Sequence, residues 1–131
     1  MADIGIGRLA ALTGVKIPTI RFYEQKDLVP PPCRTEGGQR RYDEIAVCRL
    51  HFIRHARDLG FGVEDIRQLL ALSDQPALSC DAAEQIAQHH LQQVEGKIAR
   101  LRLIRSELKR MIEACNGGFV AHCRILEALS K

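Results

Sequence analysis

The sequence predicts a mainly α-helical chain: a winged helix-turn-helix lobe, then one long coiled-coil helix, then a short loop and terminal helix. Three observations carry that prediction. Two short helical periods meet at a Gly-containing turn; a Gly-Gly pair lies between arginines; and residues 81–113 hold no Pro and a single Gly, Gly96.

In the first period Ile4, Ile6, Leu9, Ala10 and Leu12 recur at helical spacing until Thr13-Gly14 breaks it. The second, Ile17-Pro18-Thr19-Ile20-Arg21-Phe22-Tyr23-Glu24, has its Pro near a helix start, where the missing N–H costs nothing. Such a pair is the helix-turn-helix signature. Pro30-Pro31-Pro32 ends helical structure, and Arg34-Thr35-Glu36-Gly37-Gly38-Gln39-Arg40-Arg41-Tyr42 reads as a β-hairpin wing. Helices over 43–59 and 63–72 follow, separated by Gly60-Phe61-Gly62. Their expected core residues are Ile45, Val47, Cys48, Leu50, Phe52 and Ile53, then Val63, Ile66, Leu69 and Leu70, with Arg49, Arg54 and Arg57 outside.

Over 81–113, Leu91, Val94, Ile98, Leu101, Leu108 and Met111 step by three or four, with Arg105 interrupting one place. This is a coiled-coil stripe of about four heptads. At ~1.5 Å per residue it makes a rod of roughly 50 Å, too long for so small a lobe to cover, so a second copy of the chain is the expected partner. The expected division is a winged helix-turn-helix domain over 1–75, a linker and dimerisation helix over 76–114, and a loop with a short helix over 115–131.

With 131 residues, 46% hydrophobic and 27% charged, the chain has the composition of a globular protein and is too short for a large multi-domain enzyme. No nucleophile–base pair or phosphate loop is recognisable, so no enzymatic activity is expected. No stretch approaches the ~20 apolar residues of a membrane span, and Met-Ala-Asp-Ile-Gly-Ile-Gly-Arg is not a secretory signal, so a cytoplasmic location and no membrane partner are expected. Net charge is only +3, with eleven Lys/Arg against ten Asp/Glu over 1–75 and eight against six over 76–131. Nucleic-acid binding must therefore rest on where the basic residues cluster.

Several segments together resemble the MerR family of transcriptional regulators. They are Ile6-Gly7-Arg8-Leu9-Ala10, Thr19-Ile20-Arg21-Phe22-Tyr23-Glu24, the Arg34…Gly37-Gly38…Arg40-Arg41-Tyr42 wing and Leu50-His51-Phe52-Ile53-Arg54. The likeness continues through Gln93-Val94-Glu95-Gly96-Lys97-Ile98 to Cys115 and Cys123-Arg124-Ile125-Leu126-Glu127-Ala128-Leu129, features similar to the metal-sensing branch. It implies a homodimer with an antiparallel coiled coil, a C-terminal metal-binding loop, binding to a palindromic operator in double-stranded promoter DNA, and action with RNA polymerase at that promoter. It further implies that residues 18–23 form the recognition helix, with Pro18 at its start and Thr19 and Arg21 at the groove or phosphates. Tyr23 would reach a phosphate, and Arg40, Arg41 and Tyr42 would hold the flanking backbone; burial of the two tyrosines in the core is the alternative. Phe22 is expected in the core.

Five cysteines at irregular spacing argue for ligands or reactive thiols over a disulfide framework. Cys48 reads as a small core hydrophobe and Cys33 as incidental. Cys115 and Cys123 are joined by a loop containing Gly117-Gly118, which can fold back so that both sulfurs meet one soft ion. Cys80 stands at the other end of the long helix, roughly 50 Å away by helical rise, and cannot share that ion within one chain. In the antiparallel dimer that the resemblance implies, Cys80 of one subunit would meet Cys115 and Cys123 of its partner. A helix start also favours the thiolate at Cys80. A Cys at position 80 resembles the sensors of divalent ions, so Zn is the expected metal, with Cd, Pb and Hg as alternatives. His122 is a candidate fourth ligand. Asn116, where zinc-type relatives often carry a second Cys, favours one ion. A Cu(I) sensor and a redox sensor closing a Cys115–Cys123 disulfide are the competing readings.

Overall fold

The structure, a computed structural model, describes residues 3–30, 32–34, 36–115 and 117–131, without the side chains of Arg34 and Arg40. Pro31 of the proline run, Thr35 of the wing and Asn116 of the C-terminal loop lie outside the described residues. Among those described, the order is α1 (Ile6–Thr13), α2 (Ile17–Gln25), β1 (Cys33–Arg34), β2 (Arg40–Arg41), α3 (Glu44–Asp58), α4 (Val63–Ser73), α5 (Asp81–Ala114), a 3-10 turn (Val120–His122) and α6 (Arg124–Leu129). The mainly helical fold expected from the sequence is the one observed. It divides into two compact units, one running through Ala83 and the other starting at Glu84.

In the first unit Leu9 of α1, Ile20 of α2, Leu50 and Ile53 of α3 and Ile66 of α4 are all fully buried, so four helices converge on one core. α1 stops at Gly14, whose φ of 71° places it in the left-handed region that glycine adopts without a Cβ penalty. Thr13 is a buried polar side chain with its hydrogen bonds made: Oγ1 donates to the Leu9 carbonyl at 2.8 Å and accepts from the Val15 N–H at 3.3 Å. Ile4 corrects the sequence reading, since it precedes α1 and forms a β-bridge with Tyr42 through backbone bonds of 2.9 and 2.8 Å. β1 and β2 pair antiparallel, Cys33 opposite Arg41 and Arg34 opposite Arg40, which builds the wing. Asp43 then caps α3, its carboxylate accepting from the Ala46 N–H at 3.2 Å.

α3 carries two apolar stripes where one was expected. Ala46, Leu50, Ile53 and Ala56 recur every three or four residues and are buried. Ile45, Cys48 and Phe52 form a second stripe that is open: Ile45 is 59% exposed, and the three line a groove of about 330 Å³ with Leu70. Cys48 is therefore not a core hydrophobe, because one residue of helix is a rotation of about 100° and a shared apolar character does not make a shared face.

The second unit holds most of α5 together with the C-terminal segment. Leu91, Ile98, Leu101 and Leu108 of the expected stripe are 42% to 62% exposed, while Met111 is buried. Beyond α5, Gly117 and Gly118 take φ values of 77° and 95°, the reversal that brings the chain into the 3-10 turn and α6. Phe119 and Val120 remain open to solvent. Among the described residues no helix is long and apolar enough to cross a membrane.

Candidate DNA-facing helix and thiol pair

α2 begins with Pro18 in its first turn and turns Ile20 and Tyr23, three residues apart, into the core. The opposite side is open: Pro18, Arg21 and Phe22 are exposed and Thr19 is half-buried. Phe22, expected in the core, is 42% exposed because two residues of helix carry it about 200° from Ile20. The Lys26 ammonium lies 5.7 Å from its ring centre. The bare aromatic face and its cation were missed in the sequence, although counting helical angle from Ile20 would have found them.

The two tyrosines are corrections. Tyr42 is 2% exposed, and its hydroxyl donates to the Glu24 carboxylate, so it fastens the wing's end to α2. Tyr23, at 7% exposed, is a core ring tilted against Phe22. Both take the buried alternative. Arg41 of β2 is half-buried, and Arg40 contributes its backbone to the strand pair while its side chain lies outside the described ones.

The arginines expected to be merely external are bonded within the lobe, two of them to backbone. Arg54 donates to the Thr13 carbonyl at 2.8 Å, Arg57 donates to the Phe61 carbonyl at 3.1 Å, and Arg49 pairs with Asp74 at 2.7 Å. Arg67 of α4 bonds both Glu64, at 2.6 Å, and the Lys26 carbonyl at the end of α2.

In the second unit the reversal after α5 brings two of the expected metal ligands together. Cys123 is the N-terminal cap of α6, and the thiol of Cys115 lies within hydrogen-bond reach of its sulfur. The Cys123 pKa is held below the ordinary thiol value, chiefly by the Leu126 N–H, with help from the Ile125 N–H and from Cys115, while desolvation opposes the shift. Two half-buried cysteines, one of them with its thiol pKa lowered, are a donor set that suits a soft ion. His122 ends the 3-10 turn and is exposed. Among the described residues no three His, Cys, Asp or Glu side chains are gathered for one ion. Cys80 is exposed, directly ahead of α5.

Comparison with known proteins places this architecture. Residues 5–73 match the family model of MerR HTH family regulatory proteins, and residues 47–111 match the MerR DNA-binding family. The chain belongs to the MerR family. The HTH-type transcriptional regulator ZntR of Escherichia coli K12 is 44% identical over 131 residues, covering 96% of this chain and 92% of that protein. Among solved MerR-family structures, PbrR691 of Ralstonia metallidurans CH34 in complex with lead(II) is 37% identical. It superposes with a TM-score of 0.85 over 96% of this chain and 98% of its own. MerR of Bacillus megaterium MB1 with mercury(II) is 31% identical, with a TM-score of 0.74 over 98% and 100%.

Proposed function

We propose that this MerR-family chain is a metal-responsive transcriptional regulator. In this reading it binds a palindromic promoter operator as a homodimer and activates transcription, together with RNA polymerase, when Zn, Cd, Pb or Hg is bound. The observation that carries the reading is the Cys115–Cys123 pair at the foot of α6, in a chain that also holds a helix-turn-helix lobe. The relatives crystallised with lead(II) and mercury(II) support the same class of ion. α2 enters the major groove, led by Pro18, with Thr19 and Arg21 at bases or phosphates; Arg40 and Arg41 of the wing hold the flanking backbone.

Cys80 stands before α5 and Cys115 after it, separated by its 34 residues. A third thiolate for the pair therefore comes from a second subunit, whose antiparallel α5 brings its own Cys80 alongside. Zn is the favoured ion by the likeness to ZntR, and one ion per pair of thiols is the simplest occupancy. What the bound ion supplies is a preference for one conformation: it must bind the activating arrangement more tightly than the repressing one, since equal affinity shifts nothing. In the activating arrangement the two lobes kink and untwist an overlong promoter spacer.

In vitro transcription from a bound promoter, titrated with Zn, Cd, Pb, Hg and Cu(I), tests this. A response to at least one divalent ion that Cys80→Ser abolishes is expected; a Cys80→Ser variant activating normally with every divalent metal would sink the shared site. The contact between the Cys115 and Cys123 thiols also favours a second reading, a redox sensor closing a disulfide there. Mass spectrometry of oxidised protein with and without metal separates the two, because a metal sensor is protected by its ion.

A further inference from the structure

We infer that Arg54 and Arg67 are positioning residues that hold the turn leading into α2 and the cap that ends it, setting the helix's angle on DNA without touching the duplex. Resting on α2 as the DNA-reading helix, the inference starts from the two backbone carbonyls that flank it. The Thr13 carbonyl ends α1, in the turn that leads into α2, and accepts from Arg54 of α3 at 2.8 Å. The Lys26 carbonyl lies just after it and accepts from Arg67 of α4, whose other nitrogen is tied to Glu64 at 2.6 Å. Helix-terminal carbonyls have no intrahelical partner, and a guanidinium is the side chain best shaped to hold one while bonding a second group.

The first contact is built into the turn. Gly14 has a φ of 71°, and a Cβ placed on it would lie 1.9 Å from the Arg54 guanidinium, so this guanidinium rests against the turn and would have to swing away from a side chain there. The second holds the point where the chain leaves α2, through Lys26 and then Asp27, a non-glycine residue at φ 60°. Inside the helix Glu24 is bonded by Tyr42. The helix is thus fastened to α3 before its start, to the wing's end near its last turn, and to α4 after its end. Movement of α3 and α4 is passed to α2 as movement of a rigid body, which a regulator that distorts DNA requires.

The test separates positioning from direct contact and from simple loss of folding. Arg54→Met and Arg67→Met keep the aliphatic stem and remove the fork. Each full-length variant is titrated against a duplex that the wild-type chain enriches from a random-sequence pool and against an unselected duplex, over a range of salt. Affinity for the selected duplex should fall about tenfold, the loss expected for a charge-assisted hydrogen bond, with the unselected duplex unaffected and the salt slope unchanged. Arg21→Met, as a comparison, should lower the slope by about one unit if Arg21 meets a phosphate.

A slope lowered by about one unit in Arg54→Met or Arg67→Met would overturn the inference in favour of phosphate contact. Equal loss on both duplexes would overturn it in favour of a lowered folded fraction. Hydrogen exchange of the free protein reads the clamp without DNA. Faster exchange confined to α2 and its flanking turns is expected, and unchanged α2 protection would contradict the clamp. If the wild-type chain enriches no duplex, the DNA-reading proposal is what fails, and the exchange measurement still judges the clamp.

Discussion

Asp27 shows how much a single backbone angle decides. At φ 60° it occupies a conformation that costs an L-residue about 1–2 kcal/mol, less for Asp than for most, and the Leu28 N–H closes back on the Tyr23 carbonyl at 3.0 Å to end α2. Asp27→Gly should therefore stabilise the first unit by roughly 0.5–1 kcal/mol, seen as a higher urea midpoint at unchanged m-value. Gly14→Ala should do the reverse and cost about 1–2 kcal/mol, because alanine meets the same backbone strain and the Arg54 guanidinium must move off the turn. Cys123 gives a pH prediction at this scale. Its thiol pKa is depressed in the folded chain, so the thiolate persists to lower pH than an ordinary cysteine's. The associated stability is present above the unfolded thiol's pKa and is lost as pH falls through the folded one. Alkylation of Cys123 followed against pH should reach half its limiting rate below the midpoint of a reference thiol; a midpoint at or above the reference would contradict the hydrogen bonds from Leu126 and Ile125.

Among the elements, helices were the most legible. Gly14, Pro18 and Gly60-Phe61-Gly62 punctuate the chain where the helices stop and start, and the wing follows from Gly37-Gly38 between arginines. Faces were less legible than lengths. Ile4, Cys48 and Phe22 are apolar or small residues near helical periods, yet Ile4 is in a β-bridge and the other two are exposed. Composition tells that a residue is apolar; only the angle around the helix tells which neighbour it meets. The tyrosines erred the other way, since an aromatic beside arginines reads as a contact while burial and a carboxylate partner make Tyr42 a fastener. For α5 the exposed stripe makes a firm prediction: Leu101, 62% exposed, is left mostly uncovered by its own chain. Leu101→Lys should leave the helix-turn-helix lobe folded by circular dichroism and move sedimentation from dimer to monomer. An unchanged dimer would show that the stripe is not the interface.

For the molecule as a whole, the account makes one dimer from two levers. The cysteine pair at Cys115 and Cys123 was legible because glycines stand between them, and the reversal is seen. Cys80 and Cys115 stand at opposite ends of α5, so the proposed third ligand has to come from a second subunit. The central claim is therefore that each ion is shared between subunits, and mixed dimers test it most directly. Subunits carrying Cys80→Ser are combined with subunits carrying Cys115→Ser and Cys123→Ser, and tight binding of Zn or Pb is measured on the isolated heterodimer. Neither parent homodimer has a complete site in any arrangement, whereas sharing between subunits leaves the heterodimer one intact set of Cys80, Cys115 and Cys123. One tightly bound ion per heterodimer, with both parents empty, is the predicted result; a heterodimer as empty as its parents would contradict it.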